Sequence, residues 1–117
     1  MTSTTAFRIS AVLGLLAVGL GAFGAHGLKE VLARNGAAEI WRTAALYHLV
    51  HAAVLLLVAS REPLATWAWR LFLAGVLIFS GSLYALAISD VKVLGAITPI
   101  GGMCLLGGWL ALAVGRR

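Results

Sequence analysis

The sequence predicts an all-α membrane protein: an up-and-down bundle of four transmembrane helices, with a short interfacial helix after the first span. Three observations predict it. Four apolar runs, at about 7–25, 43–59, 67–88 and 93–114, are separated by short polar stretches, and a run of about 20 apolar residues spans a bilayer as a helix. Hydrophobic residues make up 62% of the 117 and charged residues only 11%, against roughly a quarter charged in an average globular domain; the mean hydropathy is +1.00. A soluble domain of this length has too much surface for its volume to hide so much apolar material. Third, the cations Arg8, Arg42, Arg61, Arg70 and Lys92 stand singly at the ends of the apolar runs, where headgroup anchors belong. One domain is expected, and the lipid bilayer is its first partner.

The net charge of +5 forms no basic patch and has no aromatic interleaving, so no nucleic acid is expected. Cys104 is the lone cysteine; it has no intramolecular disulfide partner and reads as a small packable residue.

The first span begins at Phe7. Arg8 ahead of it and the small residues Ala22 and Gly24 near its end resemble a secretory signal, but three further spans follow and a retained helix is expected. Gly14, Ala17, Gly21, Gly24 and Ala25 share one side. Small residues let neighbouring backbones approach, so this side is a packing face. In the next stretch Leu28, Val31 and Leu32 alternate with Lys29, Glu30 and Arg34 at helical spacing, as in a helix lying at the interface. Asn35-Gly36 stops it, because both residues tolerate positive φ. Trp41 is expected as an interfacial anchor of the second span.

Ser60-Arg61-Glu62-Pro63 reads as a tight turn, so spans two and three are antiparallel neighbours. Trp67, Trp69 and Arg70 mark the next interface. Along the third span, Gly75, Ser82 and Ser89 lie on one stripe and Ser80 and Tyr84 on the opposite side, which predicts two helical neighbours. In the fourth span, Gly101, Gly108 and Gly115 repeat on one side and Thr98, Gly102 and Trp109 form a second edge. Thr98-Pro99 is the expected kink. Both termini fall on one side. That side carries Arg8, Arg61, Arg70, Arg116 and Arg117, against Lys29, Arg34, Arg42 and Lys92, which favours cytoplasmic termini.

One polar stripe interrupts the second span. At 100° per residue, Thr43, Ala44, Tyr47, His48 and His51 fall within an arc of about 140°. Polar groups are costly in hydrocarbon, so the stripe faces protein. His26, at the end of the first span, and the hydroxyls Ser82 and Tyr84 of the third are the candidates to meet it. His26, Tyr47, His48, His51, Ser82 and Tyr84 therefore form a candidate polar seam.

Its chemistry is bounded. Three imidazoles are suitable ligands for zinc or copper, but no carboxylate or thiolate completes a set, so no metal is expected. Four short helices with glycine-lined contacts leave little room for a haem, and no cofactor is expected. Small four-helix exporters depend on a carboxylate in the first helix, and the run 7–25 has none; histidine remains as a titrating substitute. The hydroxyls stand in no elbow or triad. Gly21–Gly27 follows a helix rather than a strand, against a phosphate loop. No catalytic residue is assigned.

Five ordered motifs nevertheless form a pattern: Gly24-Ala25-His26-Gly27-Leu28, Tyr47-His48 with His51, Phe79-Ser80-Gly81-Ser82-Leu83-Tyr84, Thr98-Pro99-Ile100-Gly101-Gly102, and Gly108-Trp109. In these the chain resembles the family of small membrane proteins typified by transmembrane protein 256, the domain of unknown function 423. The resemblance covers nearly the whole chain and implies four spans, in a bacterial inner membrane or a mitochondrial one. It implies no activity, substrate or cofactor. The expectation is thus a non-enzymatic structural or interaction protein, a homo-oligomer or an accessory subunit of a larger membrane complex. The alternative is a small transporter or binder of a lipid or small solute that uses Tyr47, His48 and His51.

Overall fold

The computed structural model describes residues 2–115; the terminal Arg116-Arg117 pair lies outside them. The described chain is helical throughout apart from short connections: α1 (Ser3–Ala25), α2 (Lys29–Arg34), α3 (Ala38–Ala59), α4 (Thr66–Ser89), a 3₁₀ turn (Lys92–Ala96) and α5 (Thr98–Val114). Four helical stretches, the last comprising the 3₁₀ turn and α5, are long and apolar enough to cross a membrane. A helix of 22–24 residues is about 35 Å long, enough for a hydrocarbon core of about 30 Å.

Each boundary has a local cause. The Thr2 side chain accepts from the Thr5 backbone N–H, capping α1. Gly36, at φ 61°, and Asp90, at φ 59°, take the left-handed conformation that ends α2 and α4. The Asn35 amide donates to the Ala87 and Ile88 carbonyls at 2.9 and 3.0 Å, so it satisfies carbonyls that the end of α4 leaves open. Pro99 sits in the first turn of α5, where a missing N–H costs nothing. The expected mid-span kink is therefore a helix start, with the 3₁₀ turn leading into it.

The helices pair in the order α1–α3–α4–α5; the backbones of α1 and α5 do not approach each other among the described residues. By backbone approach the bundle is thus a folded row, and side chains of all four long helices share one apolar core. α4 lies between two neighbours, and its two faces divide as its sequence predicts. Ser80 and Tyr84 face α3, whereas Gly75 and Ser82 face α5. A Cβ on Gly108 would lie 2.7 Å from Phe72, and one on Gly101 would lie 2.8 Å from the Phe79 Cα. Those glycines set how closely α5 approaches α4.

The α1 packing face is only half used. Gly24 lies against the Trp41 indole, but Gly14 and Gly21 have open space where a Cβ would project.

The aromatic anchors divide differently from the sequence expectation. Trp67, 70% exposed, with the Arg70 guanidinium 5.5 Å from its ring centre, is the interfacial pair. Trp41 and Trp69 are instead interior, at 3% and 0% exposure. Each indole N–H reaches an acceptor on α1: Trp41 the Leu20 carbonyl at 2.9 Å, Trp69 the Ser10 hydroxyl at 3.0 Å. An indole enters a core once its single donor finds such a partner.

Candidate functional site

The stripe on α3 splits when folded. Ala44, His48 and His51 are buried, Thr43 and Tyr47 are exposed, and Arg42 lies outside, paired with Glu39 one turn back. The buried side meets α4 and α5, and two small polar centres form there.

The first is built around His48, halfway along α3. Its Nδ1 shares a hydrogen bond of 2.9 Å with the Tyr84 hydroxyl. Tyr84 in turn lies against Trp41, with ring centres 4.6 Å apart. One turn before His48, the Ser80 hydroxyl donates to the Ala44 carbonyl at 2.8 Å. On the far side of α4, Ser82 and Thr98 hydroxyls stand 2.6 Å apart. Each hydroxyl also has a carbonyl acceptor nearby, Phe79 for Ser82 at 3.0 Å and Leu94 for Thr98 at 3.4 Å, so either can donate to the other.

The second centre is His51. Its Nδ1 lies 2.9 Å from the Tyr47 carbonyl, and the Trp109 indole N–H donates to its Nε2 at 3.1 Å. A carbonyl only accepts and an indole only donates, so the ring carries its proton on Nδ1 and is neutral in this arrangement. Phe72 and Trp109 enclose it, with ring centres 5.8 and 5.9 Å away.

Both nitrogens of His51 are thus occupied, and neither offers a lone pair to a metal. The described residues contain no group of three or more His, Cys, Asp or Glu able to hold one. One atom stands apart among the described residues: His48 Nε2, in a residue 4% exposed, is the buried side-chain nitrogen or oxygen without a hydrogen-bond partner of normal geometry, although the ring also lies near the Leu13 backbone of α1.

The seam residues therefore separate. His48 and Tyr84 meet directly, Ser82 serves the α4–α5 contact, and Tyr47, 41% exposed, lies at the outer edge against Phe79 and His51. His26 caps the end of α1 and is exposed, so it is not part of the buried cluster. The α1 turn before Gly27 carries the chain outward, and His26 follows it. Trp109 and Thr98 join His51 and Ser82 without having been expected at the seam, and Ser10 is the unexpected acceptor for Trp69 at the α1–α4 contact. The legible signal was the requirement of each buried indole for an acceptor.

A family model described as "Protein of unknown function (DUF423)" matches residues 20–102. The chain belongs to the DUF423 family. It is 41% identical over 113 residues to the UPF0382 membrane protein YwdK of Bacillus subtilis, covering 91% of this chain and 90% of that one. A Staphylococcus epidermidis UPF0382 membrane protein is 42% identical, with 91% and 89% covered. The Schizosaccharomyces pombe UPF0382 membrane protein C1782.12c is 36% identical, with 94% and 99% covered. No solved structure matches the chain. The DUF423 chain is a membrane protein whose family carries no enzymatic name.

Proposed function

We infer that this DUF423 protein is a non-enzymatic structural or interaction protein, an accessory subunit of a larger membrane complex or a self-assembling component. The observation that carries the reading is the use made of its interior polar groups. The Trp41, Trp69 and Trp109 indoles, the Ser80 hydroxyl and the His48–Tyr84 pair each tie one helix to another. Groups so used hold a shape; general acid-base chemistry needs one within reach of a substrate. Meanwhile the backbones of the end members α1 and α5 each closely approach one long helix, touching a second through the Trp69–Ser10 and Trp109–His51 side chains, and their outer flanks remain for further protein. The test is the mass of the protein extracted from native membranes in mild detergent. Defined multiples of the chain, or a stoichiometric second chain, are expected. A monodisperse monomer with nothing bound overturns the reading.

Within the same reading the protein resides in a bacterial inner membrane with cytoplasmic termini, supported by the five-to-four split of Lys and Arg between its two sides. A C-terminal green fluorescent protein fusion should fluoresce, and an alkaline phosphatase fusion there should be inactive. The opposite pair of results reverses the orientation.

A second reading, a small transporter or binder of a lipid or small solute, is favoured by His48, whose Nε2 makes no hydrogen bond of normal geometry. An ionisable residue buried within a membrane span marks a candidate pathway. Flux through reconstituted protein that is unchanged in a His48→Ala/His51→Ala variant counts against it.

A further inference from the structure

A groove of about 470 Å³ runs between α1 and α3 beneath α2. It is separated from the polar seam by Trp41, which lines the groove and packs against Tyr84. Its walls extend from Ala25 to Ala17 on α1 and from Ala38 to Leu49 on α3. At 1.5 Å per residue these are runs of about 12 and 16 Å. Half of a hydrocarbon core of about 30 Å is about 15 Å. The groove is therefore as deep as one leaflet, opening at the surface where α2 lies and ending near the midplane.

Its chemistry changes along that length. The deep part, walled by Ala17, Val18, Leu46 and Leu49, is apolar, and midway along the groove Gly21 leaves open space where a side chain would stand. Arg42 stands about 6 Å in from Ala38, its side chain leaning toward the α3 N-terminus and so toward the mouth; it is exposed, and its ion-pair partner, Glu39, engages Nη1. A guanidinium has five donors in a planar fork, so most of this one remains for an anion at headgroup level. A cation above an apolar slot one leaflet deep has one natural complement in a bilayer.

We propose that the α1–α3 groove is a binding site for a single phospholipid, with its phosphate on Arg42 and an acyl chain lying along Gly21. The lipid supplies the packing that α1 lacks on this side, where Val18, Leu46 and Leu49 otherwise form an apolar rim.

The structure supplies a clean variant. A leucine at Gly21 fills the groove without meeting an atom of its own chain within 4 Å of the Cβ. Gly14 is equally open but does not line the groove, so Gly14→Leu is the control. The full chain is reconstituted in vesicles of phosphatidylcholine and phosphatidylglycerol, exchanged into mild detergent and weighed by native mass spectrometry. Circular dichroism checks each variant for folding.

Wild type and Gly14→Leu are expected to retain one phospholipid per chain. Gly21→Leu is expected to lose it, and Arg42→Gln to retain it in a smaller fraction of chains. Wild type stripped bare under the conditions that leave it folded overturns the site, as does equal retention in Gly21→Leu. A two-chain species that Gly21→Leu converts to monomers assigns the groove to a second copy and overturns it too. Should Gly21→Leu not fold, Gly21→Val is the smaller filling variant, with the same expected loss. Loss of the lipid without change in assembly mass separates this outcome from that of the proposed interaction role.

Discussion

His48 and His51 sit on the same face of α3, yet their partners give them different freedom. His51 is held at both nitrogens, which fixes it as the Nδ1–H tautomer. Nitrogen-15 spectra of histidine-labelled protein should show that tautomer; an Nε2–H ring would contradict the Trp109 bond. Trp69 and Ser10 provide the measurable case of a polar tie in hydrocarbon. Double-mutant cycles in another membrane protein average about 0.6 kcal/mol per such bond. A Trp69→Phe, Ser10→Ala cycle followed by denaturant unfolding should give a coupling of that order, and no coupling would mean that the bond is not formed. The ties of Trp41 and Trp69 also mark the limit of residue-level reading. A tryptophan near a span end suits the interface and the core equally well. Only the position of an acceptor on α1 decides between them, and that acceptor is a backbone carbonyl in one case and a serine 59 residues away in the other.

At the scale of the helix, glycines separate into those that are covered and those that are open. A methyl at Gly101 meets the α4 backbone at Phe79, which cannot rotate away as a side chain can. Gly101→Ala should therefore destabilise the α4–α5 contact by about 1–3 kcal/mol, the usual range for overpacking. Gly14→Ala, with open space, should be neutral or stabilising by up to about 1 kcal/mol through helix propensity alone. Unfolding of the two variants in the same detergent compares them, and equal effects would remove the distinction. Asn35 makes the other element-level prediction. Its two bonds to the end of α4 hold α2 down, so Asn35→Ala should raise amide exchange in α2 and at Ala87–Ser89, while α1 is unaffected. Asn35-Gly36 is legible as a stop signal through its backbone preference. The amide's reach across 52 residues had no local signature. The two polar faces of α4, in contrast, were legible because a helix repeats every 3.6 residues, and small or hydroxylated residues mark each contact.

For the whole molecule, four spans and short connections follow from composition and run length, which is why the architecture was readable. Which helices pair was less so. Small residues on α1 announced a packing face without saying that half of it would stay open, since an unused glycine looks like a used one. The seam was readable as a stripe on one helix; its division into a His48–Tyr84 centre and a His51–Trp109 centre depends on the rotation of α4 and α5 about their axes, which no periodicity reports. His26 illustrates the same limit: its distance along the chain suited the seam, but the end of α1 turns it outward.

The row α1–α3–α4–α5 bears finally on how the protein is made. Each long helix after the first finds its principal neighbour already in the bilayer when it leaves the ribosome, because no contact requires α1 to wait for α5. Domains are completed from the N-terminal end during synthesis, and a chain whose contacts run forward in order has little loop-closure entropy to overcome. A membrane protein built this way assembles as it is inserted, and each new helix arrives at a surface prepared by the one before it.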